Sequence, residues 1–193
     1  MKFEIDVSGY DLFNDTYVIC IASEDREIIK GFKFDKNLIN TLISNWKANK
    51  YRYEYNQYET KRGIFKVRIY SITIYYLFKS IEKPEFLSLT ICRDFKGRTN
   101  EITQSLQYFL EILKIKTGKP LFQRLPNLSH AHIYANLMRR DNKNQLKTYV
   151  EINLEDIEKF LTKKKDTPRG RLTADTHSIP PISIGRISWR LMY

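Results

Sequence analysis

Residues 2–9 and 17–22 leave this chain few options. Phe3, Ile5 and Val7 alternate with Lys2, Glu4, Asp6 and Ser8, the two-residue period of a strand buried on one face. Gly9, Asn14 and Asp15 lie in the connection, and Tyr17-Val18-Ile19-Cys20-Ile21-Ala22 then runs apolar, as an interior strand does. A connection this short is compatible only with antiparallel neighbours, because a parallel crossover needs a dozen or more residues. Asp6 falls near the end of the first strand. It reads either as an ordinary polar-face residue or as a carboxylate that projects from the sheet edge to hold a metal.

A third strand is expected within Glu27–Phe34. Asp35 then has the character of a helix N-cap, and Leu38, Ile39, Leu42, Ile43 and Trp46 recur at helical spacing until Asn49. Tyr51, Tyr53 and Tyr55 alternate with polar residues, and Ile64–Phe78 is rich in β-branched and aromatic residues. That stretch reads as one or two further strands, with residues 51–80 as an inserted hairpin. The tyrosine rings suit either a plain sheet surface or a platform on which bases of a single strand stack.

Phe86 to Cys92 alternates again as a strand ending at Arg93-Asp94, and Gly97 supplies a turn. Thr99 or Asn100 is expected to cap a helix with Glu101 in its first turn. Its buried stripe is Ile102, Leu106, Phe109, Leu110 and Leu113, and Thr117-Gly118-Lys119-Pro120 is its stop. Leu121-Phe122 starts a short strand. His130–Arg140 is helical with Ile133, Leu137 and Met138 inward, and Leu154–Leu161 is a final helix. From Thr162 the periodicity stops: Lys163-Lys164-Lys165 and Pro168-Arg169-Gly170-Arg171 read as an exposed basic extension over 162–193.

Charge narrows the partners. With 33 Lys and Arg against 22 Asp and Glu, the chain carries a formal +11, which favours polyanions, nucleic acid before a membrane surface. No 18-residue uncharged apolar run and no charged-then-apolar leader pattern occurs, so a cytoplasmic protein without a membrane role is expected. The two cysteines, Cys20 and Cys92, both lie in apolar strands and suggest a reducing compartment. His130, His132 and Cys92 fit no standard zinc spacing. Neither a nucleophile elbow, a phosphate loop nor a dinucleotide fingerprint is present.

Two strand-borne aspartates, Asp6 and Asp94, meet if their strands are neighbours in one sheet. Carboxylates so placed hold Mg²⁺ ions about 4 Å apart for phosphodiester hydrolysis. Three motifs then resemble a known group. They are Ile5-Asp6-Val7-Ser8-Gly9 with its apolar return strand, Leu89-Thr90-Ile91-Cys92-Arg93-Asp94, and Ser129 followed by Ile133 to Arg140. Together they resemble the ribonuclease H-like superfamily, and within it a group of bacterial and archaeal proteins that opens with an Asp-Glu-Ser-Gly strand and carries a late Ala-Asp-Leu helix. Val7 stands where that group has Glu, Asn136 where it has Asp, and the helix over 38–49 lacks the acid that the superfamily commonly places there.

The resemblance implies an α/β domain over residues 1–161, a mixed sheet flanked by helices in ribonuclease H-like order, with the Asp94 strand parallel to the Asp6 strand. It implies a Mg²⁺- or Mn²⁺-dependent nuclease with Asp6, Asp94 and Asp141 as catalytic carboxylates and Asp6, Asp94 and Asn136 as metal ligands. Glu151 is an alternative to Asp141, and a histidine, His130 or His132, is placed to shuttle protons. Arg93, Lys96, Arg98, Arg139, Arg140 and the tail residues Lys163, Lys164, Lys165, Arg169 and Arg171 would grip nucleic acid. The alternative is a catalytically impaired module of the same fold that binds nucleic acid or protein.

Overall fold

The computed structural model describes residues 1–14, 16–55, 58–93 and 97–162. The expectations for Asp94, Lys96 and the basic extension from Lys163 lie outside them. Strands β1 (Lys2–Ser8), β2 (Tyr17–Ser23) and β3 (Ile29–Phe34) form an antiparallel meander. Strand β4 (Phe86–Ile91) adds parallel to β1, with Ile5 opposite Ile91. Two short strands, β5 (Lys116–Thr117) and β6 (Leu121–Phe122), pair parallel with successive parts of β4. The result is an open mixed sheet of six strands in the order β3-β2-β1-β4-β5, with β6 also on β4. The antiparallel meander and the parallel β1–β4 pair are as the sequence predicts.

The helices cover both faces. Helices α1 (Lys36–Lys47), α2 (Glu59–Lys79), α3 (Thr99–Ile112) and α5 (Leu154–Leu161) share one large core with Phe3, Ile5, Ile19, Ile21, Phe32 and Phe34 of the sheet. Helix α4 (His130–Arg140) takes the other face, where Ala131, Ala135 and Met138 meet Val18, Cys20 and Ala22. The alternation along β2 sends its odd-numbered side chains to the first layer and its even-numbered ones to α4. None of the described helices is long and apolar enough to cross a membrane.

The largest correction concerns residues 51–80. They form no hairpin; 59–79 is one 21-residue helix, α2. Every residue from Val67 to Phe78 is buried. A helix enclosed on all sides shows no amphipathic stripe, so the helical period is absent, and tertiary packing overrides the strand preference of Val67, Ile69, Ile72 and Ile74. The buried hydroxyls of Ser71 and Thr73 donate to the carbonyls of Val67 and Ile69, at 2.9 and 3.0 Å, and so stay satisfied inside the helix. Length was the discriminating signal: an apolar run of this extent exceeds an ordinary strand.

The tyrosines before α2 turn inward rather than lining a strand. Tyr51 and Tyr53 pack on Phe65 with ring centroids 5.7 and 5.9 Å apart, and Tyr55 meets Trp46 edge-on at 4.9 Å. Trp46 itself stacks on Phe65 at 4.3 Å and donates its indole N–H to the Tyr53 carbonyl. Smaller corrections follow the same physics. Helix α1 is capped by Asp35, as expected, its carboxylate accepting from Leu38 N at 2.7 Å. Helix α3 instead has Arg98 at its N-cap and ends at Ile112, before Lys114 in the left-handed region, short of the expected stop at 117–120. In α4 the inward residues are Ala131, Ala135 and Met138, while Leu137 is 47% exposed. Met138 reaches the sheet over a residue that has no side chain: a Cβ on Gly31 would meet Met138 Sδ at 2.5 Å.

Phe65 is the hub of this aromatic cluster, so Phe65→Ala is expected to cost about 3–5 kcal/mol in urea unfolding. A loss below 1 kcal/mol would mean that α2 does not pack as described.

Candidate active site

The polar side of β1 consists of Glu4, Asp6 and Ser8, spaced two apart. Two strand residues span about 6.6 Å and one helical turn about 5.4 Å, so a helix running alongside can match them with residues three or four apart. Helix α4 does so. Ser129, its N-cap, accepts from His132 N at 3.3 Å and donates its own hydroxyl proton to Glu4 Oε2 at 2.6 Å. One step along, His132 Nδ1 lies 2.7 Å from Asp6 Oδ2. A further step along, Ser8 Oγ donates to Asn136 Oδ1 at 3.0 Å.

The rungs are also joined to one another. Asn136 Nδ2 lies 3.3 Å from His132 Nε2 and donates to the His132 carbonyl at 3.0 Å. An ionised carboxylate only accepts, so the pairing assigns the imidazole proton to Nδ1 and leaves Nε2 as the acceptor for the Asn136 amide. A continuous polar chain results, from Ser8 through Asn136 and His132 to Asp6. Asp6 is 2% exposed, whereas the His132 side chain is 41% exposed and carries the chain to solvent.

This chain sits at the carboxyl end of the parallel pair. The last β1–β4 register partners are Ile5 and Ile91, and Cys92 N donates to the Ile5 carbonyl at 2.9 Å. Asp6 therefore lies where the parallel ladder stops, the place at which open α/β sheets form their binding crevices. The loop after β1 is fixed beside it. Gly9 has φ +132°, and a Cβ there would come within 2.6 Å of the Thr16 carbonyl. Asp11 accepts from Phe13 N at 2.8 Å and from Lys66 Nζ at 2.6 Å, tying the loop to α2. Burial raises the Asp11 pKa, but the Lys66 ammonium and the Phe13 N–H outweigh it and hold the carboxyl below its ordinary range.

Of the expected catalytic and metal residues, Asp6 and Asn136 come together through His132. Asp141 is occupied elsewhere. It is the C-cap of α4 and accepts from Leu146 N at 3.0 Å. Burial pushes its pKa up, and the backbone N–H groups of Leu146, Gln145 and Lys143 pull it further down, so it titrates below the ordinary carboxylate range. Glu151 is exposed on the segment before α5. Among the described residues no group of three or more His, Cys, Asp and Glu side chains gathers as a metal site. Cys20, opposite Asp6 on β2, is a buried thiol; burial first, then the Asp6 charge, raises its pKa and keeps it protonated.

The basic residues are divided. Arg139 lies 5.7 Å from the exposed Tyr10 ring, and Arg140 is exposed at the end of α4. Arg93 donates to the Phe122 carbonyl, and Arg98 pairs with Glu101 at 2.8 Å. The sequence reading did not find Glu4, Ser8 and Ser129 as partners. Their signal was present in the matched spacings 4-6-8 and 129-132-136.

Ser129→Ala removes a cap and leaves Glu4 without its donor, so a loss of about 1–3 kcal/mol is expected in urea unfolding. With Glu4→Gln the double variant should lose less than the sum, and strict additivity would mean that the rung contributes nothing. Asp11→Asn should cost about 1 kcal/mol at pH 7. Because the folded pKa is lowered, that contribution exists above the ordinary value of 3.8 and fades as the pH falls through the folded value. Parallel pH–stability curves for the two proteins would contradict it.

Comparison of the chain with protein-family models, with curated proteins and with solved structures finds no match, so the reading of the site stands on its own residues.

Proposed function

We propose that this chain is a ribonuclease H-like nuclease that hydrolyses nucleic-acid phosphodiesters with Mg²⁺ or Mn²⁺ held at Asp6. The observation that carries the reading is a buried carboxylate on the central strand of a β3-β2-β1-β4-β5 sheet, placed where the parallel pair ends. Asp94, three positions after the end of β4 in the sequence and outside the described residues, is the expected second carboxylate.

The donors present suit a hard cation. Asp6 and Asn136 offer oxygens, His132 engages only one of the two Asp6 carboxylate oxygens, and Mg²⁺ keeps waters in its remaining positions. When bound, such an ion activates a water and stabilises the leaving oxygen. Asp6 orients the His132 ring so that Nε2 faces Asn136 and the solvent side of the chain, where it can take or return a proton. Arg139 and Arg140, at the far end of the same helix, supply a sequence-independent grip on phosphates.

A second reading is supported by a specific feature. Asn136 is neutral and Asp6 is already paired with His132, so the same fold can serve as a nucleic-acid- or protein-binding module without cleavage. Incubation of the full chain with end-labelled single- and double-stranded DNA and RNA in millimolar Mn²⁺ separates the two. The nuclease reading expects cleavage that Asp6→Asn lowers roughly a hundredfold or more. Intact substrates throughout, with binding unchanged in Asp6→Asn, would replace it with the binding module.

A further inference from the structure

Burying a cation is costly unless a counter-ion or a full set of acceptors goes with it. Arg68, in the middle of α2, is 2% exposed, yet no ion pair among the described residues includes it. Its Nη1 donates to Ser105 Oγ on α3 at 3.1 Å, and its guanidinium lies 5.7 and 5.8 Å from the rings of Tyr53 and Phe109. Among the described residues its buried Nε has no acceptor.

A second guanidinium belongs to Arg52, the residue next to Tyr53 in the chain. Arg52 donates from Nη2 to the Thr162 carbonyl at 3.2 Å, and among the described residues its buried Nε likewise has no acceptor. Burial disfavours the charged form of Arg68, Tyr53 offsets part of this, and Arg52 disfavours it further. Tyr53 and Tyr108 have their pKa values raised by burial, with both arginines acting in the opposite direction. Two positive groups, two unfilled N–H donors and two neutral phenols thus form one cluster. Arg52, Tyr53 and Tyr108 are partly exposed and make its rim, with Arg68 and Ser105 beneath.

We propose that Arg52, Arg68, Tyr53 and Tyr108 form a binding site for a phosphate group, on the face of the sheet opposite Asp6. A phosphate monoester suits this cluster better than a carboxylate. It carries up to about two negative charges and three acceptor oxygens, against one charge and two oxygens, and guanidinium forks match its geometry. The site is independent of the nuclease reading, because α2 and α3 lie in one helical layer and α4 in the other.

The test is isothermal titration of the full chain with inorganic phosphate, at constant ionic strength against chloride. Saturable binding is expected. Arg52→Gln and Arg68→Met should each weaken it about tenfold or more, while Asp6→Asn leaves it unchanged. Should Arg68→Met fail to fold, Arg52→Gln and Tyr108→Phe, both altered on the rim, carry the measurement. Titration with an oligonucleotide bearing a 5′-phosphate, beside its 5′-hydroxyl counterpart, separates the sources of the group. Tighter binding of the phosphorylated strand that Arg52→Gln abolishes assigns the site to nucleic-acid ends, and equal binding assigns it to free phosphate or a small monoester. No saturable phosphate binding, or equal affinity in wild type and Arg52→Gln, overturns the proposal.

Discussion

Strand β1 has to serve two layers with opposite chemistry, and the rest of the molecule follows from how it does so. Its odd-numbered residues, Phe3 and Ile5, are wholly buried in the large core, and Phe3 meets Phe78 of α2 edge-on at 5.2 Å. Its even-numbered residues carry two carboxylates and a hydroxyl to the opposite side. A polar row beneath a helix is tolerable only when every group has a partner. Ser129, His132 and Asn136 supply those partners at the correct spacing, which fixes both the direction and the register of α4. The geometry that satisfies Asp6 is therefore the geometry that places an imidazole at the crevice.

The two faces achieve packing in different ways. On the α4 side, Gly31, Ala22, Ala131 and Ala135 are small, so the helix lies close and the polar rungs stay short. On the other side, large rings fill the space around α2, with Phe65 touching Trp46, Tyr51, Tyr53 and Phe13. Helix α2 is thus the centre of its layer rather than a surface helix, and this is why it can hold Arg68 almost without solvent. Cation–π contacts and the Ser105 hydroxyl stabilise that guanidinium in part. Among the described residues the Nε atoms of Arg68 and Arg52 have no acceptor, which marks where the compensation stops.

Legibility in the sequence followed local periodicity. Period-2 alternation located β1 and β4, and Asp35 with the Leu38–Trp46 spacing located α1 and its cap. The short connections alone settled that β1, β2 and β3 are antiparallel. Where a segment is buried all round, periodicity carries nothing, and α2 was read as strands for that reason. The inward face of α4 was read from its largest apolar residues, which holds for Met138 but not for the exposed Leu137, and Ala131 and Ala135 take the remaining inward positions. Asp6 was legible as a candidate because it is an acid near the end of its strand. Its pairing with His132 was not, since 126 residues separate them and only the β1–α4 register joins them.

Asp6 holds His132 in one orientation across the β1–α4 boundary. Nitrogen-15 spectroscopy of the imidazole resonances at alkaline pH reads the tautomer of that ring. A single His132 tautomer protonated at Nδ1, lost or mixed in Asp6→Asn, is the predicted result. A ring protonated at Nε2, or a tautomer unaffected by removing the Asp6 charge, would contradict the account.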